Sequence, residues 1–219
     1  LVDPIPFAAE DDDHGHEEEA NAEDEDHAHD SDHTEDPNHA HTHSHSGDDP
    51  HFWLDATRMG RAAHLIGEEL TARTGTADYA SCGAYLAHEL QLLDAQVREI
   101  LEPIPTENRK LVTDHAAWGY FTAAYDFEQV GVVIPGGSTE AEPSSADLAR
   151  LVETIREIGV PAIFSNNAGT TRTIGSVAGD AGTTLVELYE GSLGPAGSGA
   201  ETYQDMMLTN ARLIADALG

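Results

Sequence analysis

The sequence predicts an α/β fold with a mainly parallel sheet. Short apolar, largely β-branched runs alternate with amphipathic helical stretches from residue 110 onward. Before them, residues 55–101 contain no proline and carry apolar residues at helical spacing, which predicts two helices. The chain has 219 residues and is 39% hydrophobic, enough for the core of one average domain or of two small lobes.

Each element has local signals of its own. The two early helices separate near Gly75, and Pro103 ends the second, longer one. Strands are predicted over residues 110–113, 129–135, 161–164 and 184–188. Helices are predicted over residues 116–125, 146–158, 170–181 and 201–218. Ser144 or Ser145 can cap the second of these helices, and Gly159 ends it.

The charge balance excludes whole classes of function. Ten basic residues stand against 41 acidic ones, giving a formal net charge of -31. Such a field repels a phosphate backbone, so sequence-independent nucleic-acid binding is not expected and cations are the natural partners. No apolar run approaches the roughly 20 residues that cross a bilayer, so no transmembrane segment is expected. A single cysteine, Cys82, excludes an internal disulfide and a thiolate zinc knuckle.

The amino-terminal part has a different composition. The chain begins with Leu1 and shows no leader-like region, so we expect an amino-terminal truncation. Residues 10–49 are mostly Asp, Glu, His, Ala, Ser and Asn, which predicts a disordered loop, either metal-binding or merely a solvated acidic linker. Imidazole and carboxylate are ligands that zinc accepts. The candidate ligands of this loop are His14, His16, His27, His29, His33, His39, His41, His43 and His45.

Two further histidines lie where loops meet regular elements. His51 follows Pro50, which fixes the backbone, and precedes two aromatic residues that can exclude water. His115 comes just after the predicted strand 110–113, at the carboxyl end where parallel sheets present ligand-binding groups. Either histidine alone would more often be a cap or a satisfied polar residue.

Four motifs together resemble a known family. They are Asp49-Pro50-His51-x-Trp53-Leu54-Asp55, Thr113-x-His115-x-Ala117-Trp118-Gly119-Tyr120-Phe121-x-x-Ala124-Tyr125, Ala141-Glu142-Pro143-Ser144 and Leu188-Tyr189-Glu190-Gly191-Ser192-Leu193-Gly194. In this order they resemble the zinc and manganese solute-binding proteins of ABC transporters, with the ZnuA-like branch fitting best. The His-rich acidic insertion before the first motif is also similar to the zinc branch.

The resemblance implies a two-lobed metal-receptor fold with a long linking helix, of which this chain holds mainly the carboxyl-terminal α/β lobe. The implied segments are the end of the amino-terminal lobe (1–9), the His-rich loop (10–49), the ligand loop with the linking helix (50–102) and the carboxyl-terminal lobe (103–219). It implies no enzymatic activity. The implied protein is an extracytoplasmic monomer, in the periplasm or on the cell surface with a lipid anchor, that delivers zinc or manganese to an ABC permease.

Carried onto this chain, the family's metal ligands include His51 and His115. A histidine at 115 favours Zn2+ over Mn2+, because nitrogen suits the borderline cation. The family's first histidine has no counterpart in residues 1–50. Its last-loop aspartate falls near Gly191, so the fourth ligand is either Glu190 or water. Asp114 either orients His115 through a hydrogen bond or caps a helix.

Two other functions stay open at this stage. Three protein ligands plus water also describe catalytic zinc, although HExxH, GxSxG and P-loop motifs are absent from the sequence. A metal buffer or adhesin would use the His-rich loop and keep the lobe as a scaffold. Lys110 is the only lysine, and so acidic a surface predicts a halophilic source, because high salt screens self-repulsion.

Overall fold

A computed structural model describes residues 49–134, 144–166 and 171–219. The expectations for residues 1–48, including the nine histidines of the loop, lie outside these ranges. The elements within them are α1 (Ala56–Thr74), α2 (Asp78–Leu101), β1 (Lys110–Thr113), α3 (Gly119–Tyr125), β2 (Glu128–Val132), α4 (Ser145–Ile158), β3 (Ala162–Asn166), α5 (Thr171–Ala181), β4 (Thr184–Leu188) and α6 (Tyr203–Leu218).

The four strands form one sheet in the order β2-β1-β3-β4, and every pair is parallel. The predicted parallel sheet is therefore confirmed. Side chains alternate between its faces with the period of two that strands impose. Leu111 and Phe164 point into a core shared with α2, α3 and α6. Val112 and Ile163 point into a second core under α4 and α5, so the sheet is covered on both sides.

Helices α1 and α2 correspond to the two helices predicted over residues 55–101. They pack together as an antiparallel hairpin. Asp55 caps α1 by accepting hydrogen bonds from the backbone N–H groups of Thr57 (2.9 Å) and Arg58 (3.1 Å). Gly75 ends α1 in the left-handed region, at φ 75°. Helix α2 continues beside α6 and buries Leu90, Leu93, Val97 and Leu101. None of the described helices is both long and apolar enough to cross a membrane.

One predicted element begins later than its sequence indicated. Helix α3 starts at Gly119 rather than at residue 116. The preceding residues form a loop. It is tied to β3 by a hydrogen bond from the Asp114 N–H to Phe164 O at 3.1 Å, and it is closed internally by one from the Ala117 N–H to His115 O at 2.9 Å. This loop carries His115 at the carboxyl edge of the sheet.

Smaller boundary shifts have simple causes. Strand β3 starts after Pro161, which lacks the N–H that a ladder needs, and it runs on to Asn166. Helix α6 starts at Tyr203 because Thr202 caps it, with the Thr202 hydroxyl accepting from the Asp205 N–H at 3.1 Å. Strand β2 spans Glu128–Val132 and so ends short of the predicted residue 135.

Candidate metal centre

Three loops meet at the carboxyl edge of the sheet. His51 precedes α1, His115 follows β1 and Glu190 follows β4. The end of β3 adds Asn166 between the last two. The site therefore draws on widely separated parts of the chain that the parallel topology brings together.

His115 and Glu190 face each other in the interior. His115 Nε2 lies 3.1 Å from Glu190 Oε1, and the two residues are only 4% and 3% exposed. Two ligand atoms of a tetrahedral zinc site, each about 2.0–2.1 Å from the ion, lie about 3.3 Å apart. The pair is thus spaced like two ligands of one cation.

Asp114 fixes the ring of His115. Its Oδ1 accepts hydrogen bonds from the His115 N–H at 2.9 Å and from Nδ1 at 3.0 Å, and its Oδ2 accepts from the Asn166 N–H at 2.9 Å. A carboxylate only accepts, so this hydrogen bond places a proton on Nδ1, and Nε2 is the nitrogen that the ring can offer to a metal ion. Of the two roles open for Asp114, the structure shows the orienting one, which is the arrangement typical of metal-bound histidines.

His51 is held in the same way by Asp49. The Oδ1 atom of Asp49 accepts from the His51 N–H at 2.9 Å and from Nδ1 at 2.6 Å. The rings of His51 and His115 have their centroids 5.5 Å apart at an angle of 66°. Two imidazoles that bind one zinc ion through Nε2 have centroids about 5.2 Å apart. The observed separation is close to this value, so the two rings are spaced like ligands of one ion.

Three donors hold Glu190. Trp118 Nε1–H donates to Oε2 at 2.9 Å, and the side-chain amide of Asn166 donates to Oε1 at 3.0 Å. Trp53 Nε1–H donates to the backbone oxygen of Glu190 at 2.7 Å. The buried Asn210 of α6 also clamps the backbone of Tyr189, accepting from its N–H at 2.9 Å and donating to its carbonyl at 2.6 Å.

The electrostatics of the site favour a cation. Burial raises the pKa of Glu190 to about 7; the charge of Asp114 adds to this rise, whereas His115 and Trp118 oppose it. For His115, burial alone would lower the pKa, but the hydrogen bond that its ring donates to Asp114 and the charge of Glu190 outweigh burial, and the pKa is raised. The carboxyl groups of Glu190 and Asp114 thus repel each other in the interior, and a divalent cation would relieve that repulsion.

Of the predicted ligands, His115 and Glu190 belong to one close group, whereas His51 does not. Asp114, His115 and Glu190 each offer a ligand atom within 4.8 Å of the others. His51 is outside that group but in ring contact with His115. Gly191, the position of the family's aspartate, lacks a side chain to offer, whereas Glu190 points inward.

Sequence reasoning missed several of these contacts. The motifs contain Asp49, Trp53 and Trp118, but they do not predict which atoms these side chains contact. An aspartate close before each histidine was the available signal for the two carboxylate–imidazole pairs. For Asn166 the sequence gives a weaker indication. It is a polar residue just after the predicted strand 161–164, at the same edge of the sheet as His115.

Comparison with known proteins agrees with this geometry. Residues 6–217 match the family model described as "Zinc-uptake complex component A periplasmic" (ZnuA). The "Manganese-binding lipoprotein MntA" of Halalkalibacterium halodurans is 33% identical over 176 residues, which cover 78% of this chain and 58% of that protein. The "Zinc-binding protein TroA" of Treponema pallidum is 33% identical over 178 residues, covering 78% of this chain and 57% of that protein.

A solved structure shares the fold. The periplasmic zinc-binding protein TroA from Treponema pallidum superimposes with a TM-score of 0.71 at 29% identity, covering 80% of this chain and 66% of that one. The chain thus spans somewhat more than half the length of the curated relatives described above. Since the family model matches almost all of it, the chain belongs to the ZnuA family of metal solute-binding proteins.

Proposed function

We propose that this chain captures zinc outside the cytoplasm, in the periplasm or at the cell surface, and delivers it to the permease of an ABC transporter. Its ligands are His51, His115 and Glu190. The observation that carries the proposal is the buried pairing of His115 Nε2 with Glu190 Oε1 at 3.1 Å, with the other ring nitrogen tied to Asp114. One further donor, a water molecule or another side chain, completes the four ligands that zinc takes.

The donor set supports zinc over manganese. Two imidazole nitrogens and one carboxylate oxygen suit the borderline cation, whereas manganese prefers sites richer in oxygen. The names of the relatives include both metals, since MntA is a manganese-binding and TroA a zinc-binding protein. The nitrogen content of this site supports zinc for this chain.

The same contacts support binding without catalysis. Catalytic zinc needs a base that can take a proton from bound water. Asp49 and Asp114 each hold an imidazole, and Glu190 is held by Trp118 and Asn166. These carboxyl groups are engaged in positioning ligands, which is what a receptor needs.

A calorimetric zinc titration of the full chain tests the proposal. We expect one tight site in the unchanged protein. His115→Ala removes a ligand and lowers the affinity by more than the roughly 10- to 100-fold that an outer partner costs. His64→Ala is the matched control, because His64 lies half-buried on α1 with its Nε2 atom 3.5 Å from Glu68, and this variant retains the tight site.

Deletion of residues 10–46 separates this proposal from a metal buffer based on the His-rich segment. The receptor keeps one stoichiometric site after the deletion and loses it with His51→Ala and His115→Ala. Binding that disappears with the deletion and ignores both substitutions would overturn the proposed function.

A further inference from the structure

The two oxygens of Glu190 have different surroundings. Oε1 faces His115 Nε2 at 3.1 Å and also accepts from the side-chain amide of Asn166 at 3.0 Å, while Oε2 accepts the indole N–H of Trp118 at 2.9 Å. Trp118 is 2% exposed and Glu190 is 3% exposed, so water does not compete for this hydrogen bond. Both oxygens therefore have a protein donor, but only Oε1 also faces the imidazole of His115, whereas Oε2 is held by the buried indole.

Packing restricts the rotation of the Trp118 indole away from Glu190. Trp118 sits directly before α3, and its ring packs edge-on against Phe121 with centroids 5.2 Å apart. Both aromatic side chains belong to the core shared with α2 and α6. Rotating the indole away from Oε2 would leave a buried N–H and a buried carboxylate oxygen without this hydrogen bond, which is unfavourable.

We propose that Trp118 restricts Glu190 to a single metal–oxygen bond and thereby sets the preference of this site for zinc over manganese. The inference rests on the proposed function and adds a specificity-determining residue to it. Trp118 does not touch the ion. It is a positioning residue that acts through the carboxylate.

The discrimination follows from coordination number. Zinc is satisfied by four ligands, whereas manganese prefers an octahedral set rich in oxygen. A carboxylate that binds through both oxygens adds one oxygen ligand without adding a residue. Holding Oε2 on the Trp118 indole withholds that extra oxygen, which costs the zinc complex little and the manganese complex more.

A matched comparison exists within the chain. Trp53 also donates its indole N–H to Glu190, but to the backbone oxygen, at 2.7 Å. Trp53→Phe and Trp118→Phe therefore remove the same kind of donor from the same ligand residue. Only Trp118→Phe releases an oxygen of the carboxylate.

The experiment measures Zn2+ and Mn2+ affinities of the full chain by competition with a chelator, together with the visible absorption of the Co2+ complex. We expect Trp118→Phe to lower the ratio of zinc to manganese affinity by about tenfold or more. Its cobalt bands weaken, because coordination above four reduces their intensity. In Trp53→Phe both affinities fall together, so the ratio and the cobalt spectrum stay close to those of the unchanged chain.

Two outcomes overturn the inference. One is an unchanged affinity ratio in Trp118→Phe, and the other is an equal change of the ratio in both variants, which would reflect packing rather than the carboxylate. If Trp118→Phe does not fold, replacement of Trp118 by benzothienylalanine keeps the ring shape and removes only the N–H, and the same criteria apply. Failure of the unchanged chain to bind zinc through His115 would instead contradict the proposed function.

Discussion

Each of the two histidines at the metal centre has an aspartate of its own. Asp49 holds His51 at 2.6 Å and Asp114 holds His115 at 3.0 Å, in both cases through Nδ1. Each aspartate also accepts the backbone N–H of its histidine, so the ring and the backbone are fixed together. These pairs occupy both Nδ1 atoms, so Nε2 is the nitrogen that each ring can offer to an ion.

The Asp49–His51 pair yields the first prediction. Asp49→Ala lets the ring rotate and change tautomer, so we expect zinc affinity to fall about 10- to 100-fold. Asp78→Ala is a suitable control, because Asp78 lies in the exposed first turn of α2, away from the site. Calorimetric titration of both variants checks this, and equal affinities would show that Asp49 serves only the local turn.

The second prediction concerns pH. A cation binds the deprotonated forms of Glu190 and His115, and both groups have raised pKa values, that of Glu190 being about 7. Zinc binding at pH 7 therefore releases protons, and affinity falls by up to about tenfold per pH unit for each displaced proton as the pH drops below 7. Titrations in buffers of different ionisation enthalpy count these protons, and Glu190→Gln should release fewer. No dependence of the measured heat on the buffer would contradict the raised pKa values.

The sequence predicted part of this centre and could not have predicted the rest. His51 and His115 lie in motifs that are local in the chain. The donors to Glu190 come from 24 residues away (Asn166) and 72 residues away (Trp118), so only the folded sheet shows them. The sequence also leaves the fourth ligand open between Glu190 and water; the burial of Glu190 and its three donors support the carboxylate.

At the scale of elements, the hairpin of α1 and α2 depends on small residues at its contact. Gly67 and Gly83 face each other across it and are buried. A Cβ on Gly67 would lie 2.5 Å from Tyr79 O, and one on Gly83 would lie 2.7 Å from Ala63 O. Backbone atoms cannot move aside as a flexible side chain can, so the two helices approach this closely only without those side chains.

The third prediction follows from this contact. Gly83→Ala gains about 1 kcal/mol of helix propensity but forces the helices apart, at a cost of about 1–3 kcal/mol, so we expect a net loss of stability. Gly179→Ala is the matched control, since Gly179 lies on α5 with nothing within 4 Å of its would-be Cβ. That control should be neutral or stabilising. Thermal melts of the two variants check the difference, and equal melting temperatures would rule out a tight hairpin.

Element boundaries show where local sequence signals lose their force. Strands β1 and β4 fall on the predicted residues because short apolar runs bounded by turns decide them. Helix α3 begins late because the loop that ends with Trp118 is held by hydrogen bonds to β3 and to Glu190. Some apolar residues of α1 and α2 are exposed, such as Ile66 (60%) and Tyr85 (65%). Packing among the described residues therefore does not explain why these positions are apolar.

For the whole molecule, charge governs the expected response to salt. A net charge of -31 on 219 residues means strong self-repulsion at low ionic strength. The Debye length shrinks from about 10 Å at 0.1 M to about 3 Å at 1 M, so salt removes most of this repulsion. We therefore expect the melting temperature to rise with KCl over that range, measured by circular dichroism. A melting temperature indifferent to salt would contradict both the repulsion and the predicted halophilic source.

The chain also contains its own optical reporter. Its sequence has two tryptophans, and both indole N–H groups donate to Glu190, one to the carboxylate and one to the backbone. An ion that draws on Glu190 must alter the surroundings of both fluorophores at once. Intrinsic tryptophan emission can therefore follow the binding and release of a metal ion in real time without a dye. The single-tryptophan variants Trp53→Phe and Trp118→Phe then assign the signal to the tryptophan at the carboxylate of Glu190 or to the one at its backbone oxygen.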